Sequence, residues 1–222
     1  MKFSHLSVVL LLATVSCNNG SSGGGSSASS EADSSVSKKK KVPLTTAEGT
    51  VGTWKSRCVL DTSLPPSAAA EYTQSTIVLQ SGGKFSSQTD HYLDETCTDA
   101  SKIVNVDRQV GSAKYGAASK AVNGALEFDL TITQFLVQPK TPEKAKALEA
   151  LNGAPKDACK TLKFQVNQET DLMTCLEPPP TFQLIKTTGS KLQLGSCFAK
   201  PCTKKEDRST TLDVLIYDKA KT

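Results

Sequence analysis

The sequence predicts a mainly β protein, built from antiparallel strands with one short inserted α-helix, behind a disordered N-terminal tether. Three observations predict it. Apolar and polar residues alternate with period two through most of the chain after residue 49. Turn signals separate the alternating runs, and Ser- and Gly-rich sequence precedes them.

The N-terminus is typical of a secretory signal peptide. Lys2 precedes an apolar run over residues 6–15, small residues follow, and Cys17 comes directly after them. The run is about half of the ~20 residues that a membrane-spanning helix needs. The junction resembles a bacterial lipobox, which implies cleavage after residue 16 and a lipid-modified (diacylglycerol- and palmitate-bearing) Cys17.

Residues 17–48 are predicted to form a lipidated, disordered tether. Twelve of the nineteen residues 18–36 are Ser or Gly, so the stretch cannot bury enough apolar surface to order itself. Asn18 follows the cysteine, which by resemblance to Gram-negative lipoproteins favours the outer membrane. The expected location is therefore the bacterial cell envelope, anchored to the outer membrane on its periplasmic or its surface-exposed face.

The charge distribution argues against a nucleic-acid partner. The chain carries a net charge of +4, but Lys2 and the lysines at 38–41 lie ahead of the predicted folded part. No basic stripe remains after residue 49, as nucleic-acid binding would require. The lysine run is interpreted as the solvated end of the tether, and the expected partner is the lipid bilayer.

Residues 49–222 are long enough for one domain with its own core. The predicted strands have apolar residues on one face only, as in antiparallel sheets. Turn signals lie at Ser81-Gly82-Gly83, at Asn123-Gly124 and at Thr188-Gly189. The apolar faces are Ile77 and Leu79; Leu126, Phe128, Leu130 and Ile132; Leu162, Phe164 and Val166; and Leu212, Val214 and Ile216.

One segment breaks the alternation and predicts a helix. Thr141 suits the N-cap, Pro142 suits the first helical position, and Gly153 suits the C-terminal stop. We therefore expect a short amphipathic helix between two strands. The run Pro178-Pro179-Pro180 is predicted to be a linker or an edge, because proline cannot serve a central strand.

The cysteines predict disulfides. With Cys17 lipidated, six remain, and closeness in sequence favours Cys197 with Cys202 and Cys159 with Cys175, which leaves Cys58 and Cys97. Six cysteines allow many pairings, and sequence alone does not choose among them. No metal site is expected, because there is no Cys-x-x-Cys and His91 is the only histidine after residue 16. No cofactor is expected either.

Three scattered motifs carry a family resemblance. The domain opens with Gly52-Thr53-Trp54, a Tyr-x-Asp-x-x-Cys box runs from Tyr92 to Cys97, and Arg208 lies near the end. Together they resemble the lipocalin-like domains of bacterial secreted lipoproteins. The resemblance implies a single up-and-down β-barrel over residues 49–222, with Arg208 packed on the Trp54 indole at the closed end and Cys58 bonded to Cys97.

The resemblance also implies a binding function. The barrel would bind or sequester a small apolar ligand, with a lining that includes Phe128, Leu130, Phe164 and Leu184. These residues could equally fill the barrel as core. The alternative function is a non-catalytic envelope structural or interaction module, with a filled barrel that binds a protein or polymer through its loops.

No catalytic residue is predicted, and the protein is not expected to be an enzyme. His91 lies between Asp90 and Tyr92, but no Gly-x-Ser-x-Gly nucleophile motif accompanies it. A lone histidine at a strand end is more often a surface or hydrogen-bonded residue than a catalytic base, because catalysis needs a convergent set of groups. A monomer is expected.

Overall fold

The structure is a computed structural model, and it describes residues 45–62, 64, 69–151, 162–176, 178–197 and 201–221. The predicted signal peptide, Cys17 and most of the tether lie outside these residues, as does Cys159. The elements are α1 (Ala47–Thr50), β1 (Gly52–Ser56), β2 (Val59–Leu60), β3 (Tyr72–Leu79), β4 (Lys84–Tyr92), β5 (Ile103–Ala118), β6 (Leu126–Pro139), α2 (Pro142–Leu151), β7 (Thr170–Asp171), β8 (Thr181–Thr188), β9 (Lys191–Leu194) and β10 (Tyr217–Lys219).

Eight of these strands close into an antiparallel barrel, which confirms the predicted fold class. Around the barrel the order is β1, β10, β9, β8, β6, β5, β4 and β3, and β3 pairs with β1 again. Trp54 marks the closure, because it is in register with Lys219 of β10 on one side and with Ile77 of β3 on the other. Strand β2 continues beside β3, and β7 adds to β6.

The predicted turns connect neighbouring strands. Residues 81–83 join β3 to β4, Asn123-Gly124 lies between β5 and β6, and Gly189 lies in the turn between β8 and β9. Gly124 and Gly189 have φ angles of 80° and 61°, in the left-handed region that glycine occupies at little cost. These hairpins are local, so the sequence could predict them.

The predicted helix is confirmed as α2, directly after β6. The Thr141 hydroxyl accepts a hydrogen bond from the Lys144 backbone N–H at 3.1 Å, as an N-cap does, and Pro142 is the first helical residue. The predicted stop at Gly153 lies outside the described residues. Ala145 is buried against Val137 and Phe164, so the helix packs over the end of the barrel where β6 finishes.

Two predicted strands are wrong. Residues 162–165 are not a strand: Phe164 packs with α2 residues, and its N–H donates to the Glu149 side chain at 3.3 Å. Residues 212–216 form no strand beyond an isolated bridge at Leu212, and β10 begins only at Tyr217. In this segment Leu215 and Tyr217 are buried, whereas Val214 of the predicted apolar face is 62% exposed. Local alternation does not show whether a segment pairs with a neighbouring strand or which of its faces meets the core.

Two disulfides join described cysteines, Cys58–Cys97 and Cys197–Cys202. Both agree with the expected pairing. Cys175 is also disulfide-bonded, and its predicted partner lies outside the described residues.

The chain is already packed on the barrel at Thr45, ahead of the predicted boundary at residue 49. The Thr45 hydroxyl donates to the Gly124 carbonyl at 2.6 Å and accepts from the Thr187 N–H at 3.0 Å. Neither α1 nor α2, the α-helices of the described part of the chain, has the length and apolar character that crossing a membrane demands.

Candidate functional site

The inside of the barrel divides into an apolar half and a polar half. The apolar half surrounds Trp54, at the end that α1 covers, and the core side chains Phe128, Leu130, Ile185 and Leu192 are each 1% exposed or less. The opposite half lies towards α2. On the side formed by β3 to β5 its inward-facing residues are polar, as the strand register and the alternation of side chains show, whereas β6 adds the apolar Phe135 and Val137. The polar residues are Asp61, Glu71, Thr73, Ser75, Thr89, His91, Asn105, Asp107 and Gln109.

His91 lies at the centre of the polar half. It is 5% exposed, and its Nε2 lies 3.0 Å from Oδ2 of Asp107. The other oxygen of Asp107 accepts a hydrogen bond of 2.6 Å from the Asn105 amide. Asp107 is thus held by Asn105 and in turn orients the imidazole.

The second ring nitrogen of His91 faces two carboxylates. Nδ1 lies 3.5 Å from Oε2 of Glu71 and 3.8 Å from Oδ2 of Asp61. It is buried and forms no hydrogen bond. A buried polar atom without a partner is costly, so this nitrogen marks a position where a ligand could be bound.

Helix α2 supplies a cation to the same place. Nζ of Lys144 lies 2.7 Å from both oxygens of Glu71, and the Lys144 side chain is 15% exposed. Lys144 follows directly from the helix start that Thr141 caps, so the helix reaches across the barrel end from β6 to the beginning of β3. This ion pair fastens α2 over the polar half.

The charges of the cluster support one another. Burial alone lowers the pKa of His91, but the carboxylates of Asp107 and Glu71 outweigh it and raise that pKa to about 9. Burial alone raises the pKa of Glu71, but His91 and Lys144 hold it below its ordinary value. At neutral pH the cluster as described therefore contains ionised Glu71 beside a protonated imidazole and an ammonium.

Three of these residues could hold a metal ion. Asp61, Glu71 and His91 each offer one ligand atom, and these atoms all lie within 4.8 Å of one another. The cluster was not predictable from the sequence, because Asp61 follows β2, Glu71 precedes β3 and His91 lies in β4, at spacings that match no metal motif. Its one signal was the unusual sequence at the end of β4, where a histidine occupies an inward position in a strand.

The structure corrects the predicted barrel-closing pair. A cation does lie over the Trp54 indole, but it is Lys219 of β10, with Nζ 5.3 Å from the ring centroid. The indole Nε1 donates to the Thr50 carbonyl of α1 at 2.7 Å, which joins α1 to the barrel. Trp54 is therefore buried beneath α1 and covered by Lys219, not by Arg208.

Arg208 lies elsewhere, on the outer face of the barrel. Its guanidinium is 5.7 Å from the Phe182 ring centroid, pairs with Asp129 at 2.6 Å and donates to the Gln183 carbonyl at 2.9 Å. Phe182 and Asp129 are in register and alternate with the inward residues of β8 and β6, so they point outward. Arg208 thus fastens the segment before β10 to the barrel wall.

The four residues predicted to line a ligand cavity do not share one. Phe128 and Leu130 point inward but belong to the packed apolar half. Phe164 lies with Val137 in a separate cluster beneath α2. Leu184 is in register with Glu127 on the outer face of the sheet, where the Gly195 N–H donates to the Leu184 carbonyl at 2.7 Å.

Comparison with known proteins adds no relative: no protein-family model matches the chain, and no curated protein matches it.

Proposed function

We propose that the protein is a membrane-anchored, extracytoplasmic lipocalin-like lipoprotein that binds a small polar ligand in the α2-covered half of its barrel. The observation that carries the proposal is the buried group of inward-facing ionisable residues around His91. Buried charges are expensive unless something compensates them, and a ligand site is one reason for a barrel to contain them. We propose a monomer that binds its ligand and does not catalyse a reaction.

A polar ligand fits this interior better than an apolar one. The side chains around Trp54 leave almost no accessible surface, so the apolar half is filled by its own residues. The polar half is about as enclosed, with Asp61 and Thr89 each 8% exposed, but the side chains that line it are charged and hydrogen-bonding groups. Entry is from the α2 end, where one ion pair between Lys144 and Glu71 fastens the helix to the opposite wall.

A nuclear magnetic resonance titration of the full chain tests this function. The probes are 1,5-diaminopentane, zinc chloride and a fluorescent fatty acid, and the readout is the shift of backbone amides. We expect a polar probe to shift the amides of Thr89, His91 and Asn105, and the fatty acid to leave them unchanged. If no probe shifts an inward-facing amide, the barrel is not a binding site.

The second candidate function is the interaction module with a filled barrel. The tight packing of the apolar half favours it, because Phe128, Leu130, Ile185 and Leu192 are each 1% exposed or less. In the same titration, this function predicts no response at inward-facing amides.

The anchor is tested separately, by metabolic labelling with a fatty acid. We expect the wild-type protein to incorporate label and to fractionate with the outer membrane. The Cys17→Ser variant should do neither, because it lacks the thiol that accepts the lipid. Equal absence of label from both proteins would contradict the anchor and leave a freely secreted barrel.

A further inference from the structure

The polar half of the barrel presents three convergent donor atoms: Nδ1 of His91, Oε2 of Glu71 and Oδ2 of Asp61. We propose that these atoms form a binding site for a divalent transition-metal ion. The inference rests on the proposed function and names the class of ligand that the polar half takes.

The distances suit one ion. Zinc binds nitrogen and carboxylate oxygen at about 2.0–2.2 Å, so neighbouring ligand atoms in a tetrahedral site are about 3.3–3.6 Å apart. His91 Nδ1 lies 3.5 Å from the Glu71 oxygen and 3.8 Å from the Asp61 oxygen. The Glu71 and Asp61 oxygens lie within 4.8 Å of each other, so the two carboxylates would draw together around a bound ion. Three protein ligands leave a fourth position for water or a further ligand, as in non-structural zinc sites.

The orientation of His91 is a second, independent observation. Its side chain is 7% exposed, and its Nδ1 points between the two carboxylates without a hydrogen-bond partner. Its Nε2 is beside Asp107, so when a metal ion displaces the Nδ1 proton, the Nε2–H still donates to that carboxylate and the Nδ1 lone pair ligates the ion. Carboxylates that hold the outer N–H of a metal-bound histidine are common in metal sites.

Charge balance points the same way. Five ionisable side chains are linked through His91 and Glu71; apart from His91, Asp61, Glu71 and Asp107 are acidic and Lys144 is basic. Because a histidine must be neutral to ligate, an incoming ion displaces the imidazole proton, and the five side chains then carry two negative charges around the ion. A divalent cation neutralises that charge. The short distances among the donor atoms leave space for an ion and exclude a bulky organic group.

Lys144 occupies the position of a competitor. Its ammonium lies 2.7 Å from Oε2 of Glu71, the same oxygen that faces His91. A metal ion on that oxygen therefore displaces Lys144 or confines it to Oε1, which a carboxylate with two oxygens permits. Metal binding should consequently loosen the hold of α2 on the barrel end, and removal of the ammonium should favour the metal.

Zinc titration calorimetry on the chelator-stripped full chain tests the site, with cobalt absorption as a spectroscopic readout of its geometry. We expect one equivalent of zinc to bind.

Four variants test which residues bind the ion. Glu71→Gln should abolish zinc binding, and Asp107→Asn should weaken it by about 10–100-fold, as for other carboxylates that hold a metal-bound histidine. Lys144→Met should tighten it by roughly tenfold or more, because a like charge is removed at short range. Asp218→Asn, at an exposed position on β10, is the matched control and should change nothing.

The Lys144→Met variant keeps the test decisive if Glu71→Gln or Asp107→Asn fails to fold. Absence of zinc binding by both the wild type and Lys144→Met would overturn the metal site. So would zinc binding that survives Glu71→Gln, because the ion would then be bound elsewhere. If zinc fails while 1,5-diaminopentane still shifts the His91 and Asn105 amides, the metal inference falls and the proposed function stands. If neither probe shifts them, both fall.

Discussion

Replacement of Lys219 by methionine tests which cation covers the Trp54 indole. Nζ of Lys219 lies 5.3 Å from the ring centroid, and methionine keeps most of the aliphatic stem while it removes the charge. Lys219 is solvent-exposed, so the attraction belongs at the weak end of cation–π interactions. We expect Lys219→Met to lower the free energy of unfolding by about 0.5–1 kcal/mol.

Trp54→Phe supplies the other arm of a double-mutant cycle. The indole is 0% exposed and donates a 2.7 Å hydrogen bond to the Thr50 carbonyl. Loss of that bond costs about 1 kcal/mol, and the smaller ring leaves a cavity that costs about 1–2 kcal/mol more. We expect a total near 2–3 kcal/mol, measured by urea unfolding with far-UV circular dichroism, because the variant has no tryptophan.

The coupling energy between Lys219→Met and Trp54→Phe shows whether the two side chains interact. Lys219→Met and Trp54→Phe should show a coupling energy of about 0.5 kcal/mol, since the contact can be lost only once and the phenylalanine ring keeps part of the attraction. Arg208→Met is the matched control. It should cost about 1–3 kcal/mol through its charged hydrogen bonds and pairing with Asp129, yet be additive with Trp54→Phe. Coupling of Trp54 to Arg208, or none to Lys219, would refute this arrangement.

The disulfides and a buried tyrosine give two further predictions. In the chain-entropy model, removal of the Cys58–Cys97 bond, with its sequence separation of 39, should cost about 4 kcal/mol. Removal of Cys197–Cys202, with a separation of 5, should cost about 2 kcal/mol. Chemical denaturation of the two double-serine variants measures both losses. Equal losses would contradict the dependence of disulfide stabilisation on loop length. Burial raises the pKa of the Tyr217 hydroxyl, which has no hydrogen-bond partner. The neutral hydroxyl therefore contributes its full stability below about pH 10, and this contribution is lost as the pH rises further. Tyr217→Phe should be as stable as the wild type or about 1 kcal/mol more stable at neutral pH and should resist alkaline unfolding, and an unchanged alkaline midpoint would count against this prediction.

Features of the fold that depend on neighbours in the sequence were predictable. The alternation over residues 126–132 identified β6 and its inward face, and Asn123-Gly124 identified the hairpin before it. The helix start at Thr141 and Pro142 was predicted because capping uses residues within one turn. The alternation of apolar residues around Phe164 predicted a strand that does not form. Phe164 is apolar because it is buried against α2, not because it belongs to a strand.

The sequence by itself determined that strands alternate, where they turn, where α2 begins and which cysteines were available, because these features depend on side chains a few residues apart. Only the tertiary structure decided that Lys219 covers Trp54 and that Asp61, Glu71 and His91 face one another. Barrel closure brings β10 beside β1, and the register of β3 with β4 places Thr73 opposite His91, with Glu71 just beyond it on the same face. The order of residues along the chain contains no distance between such positions; the closed sheet creates it.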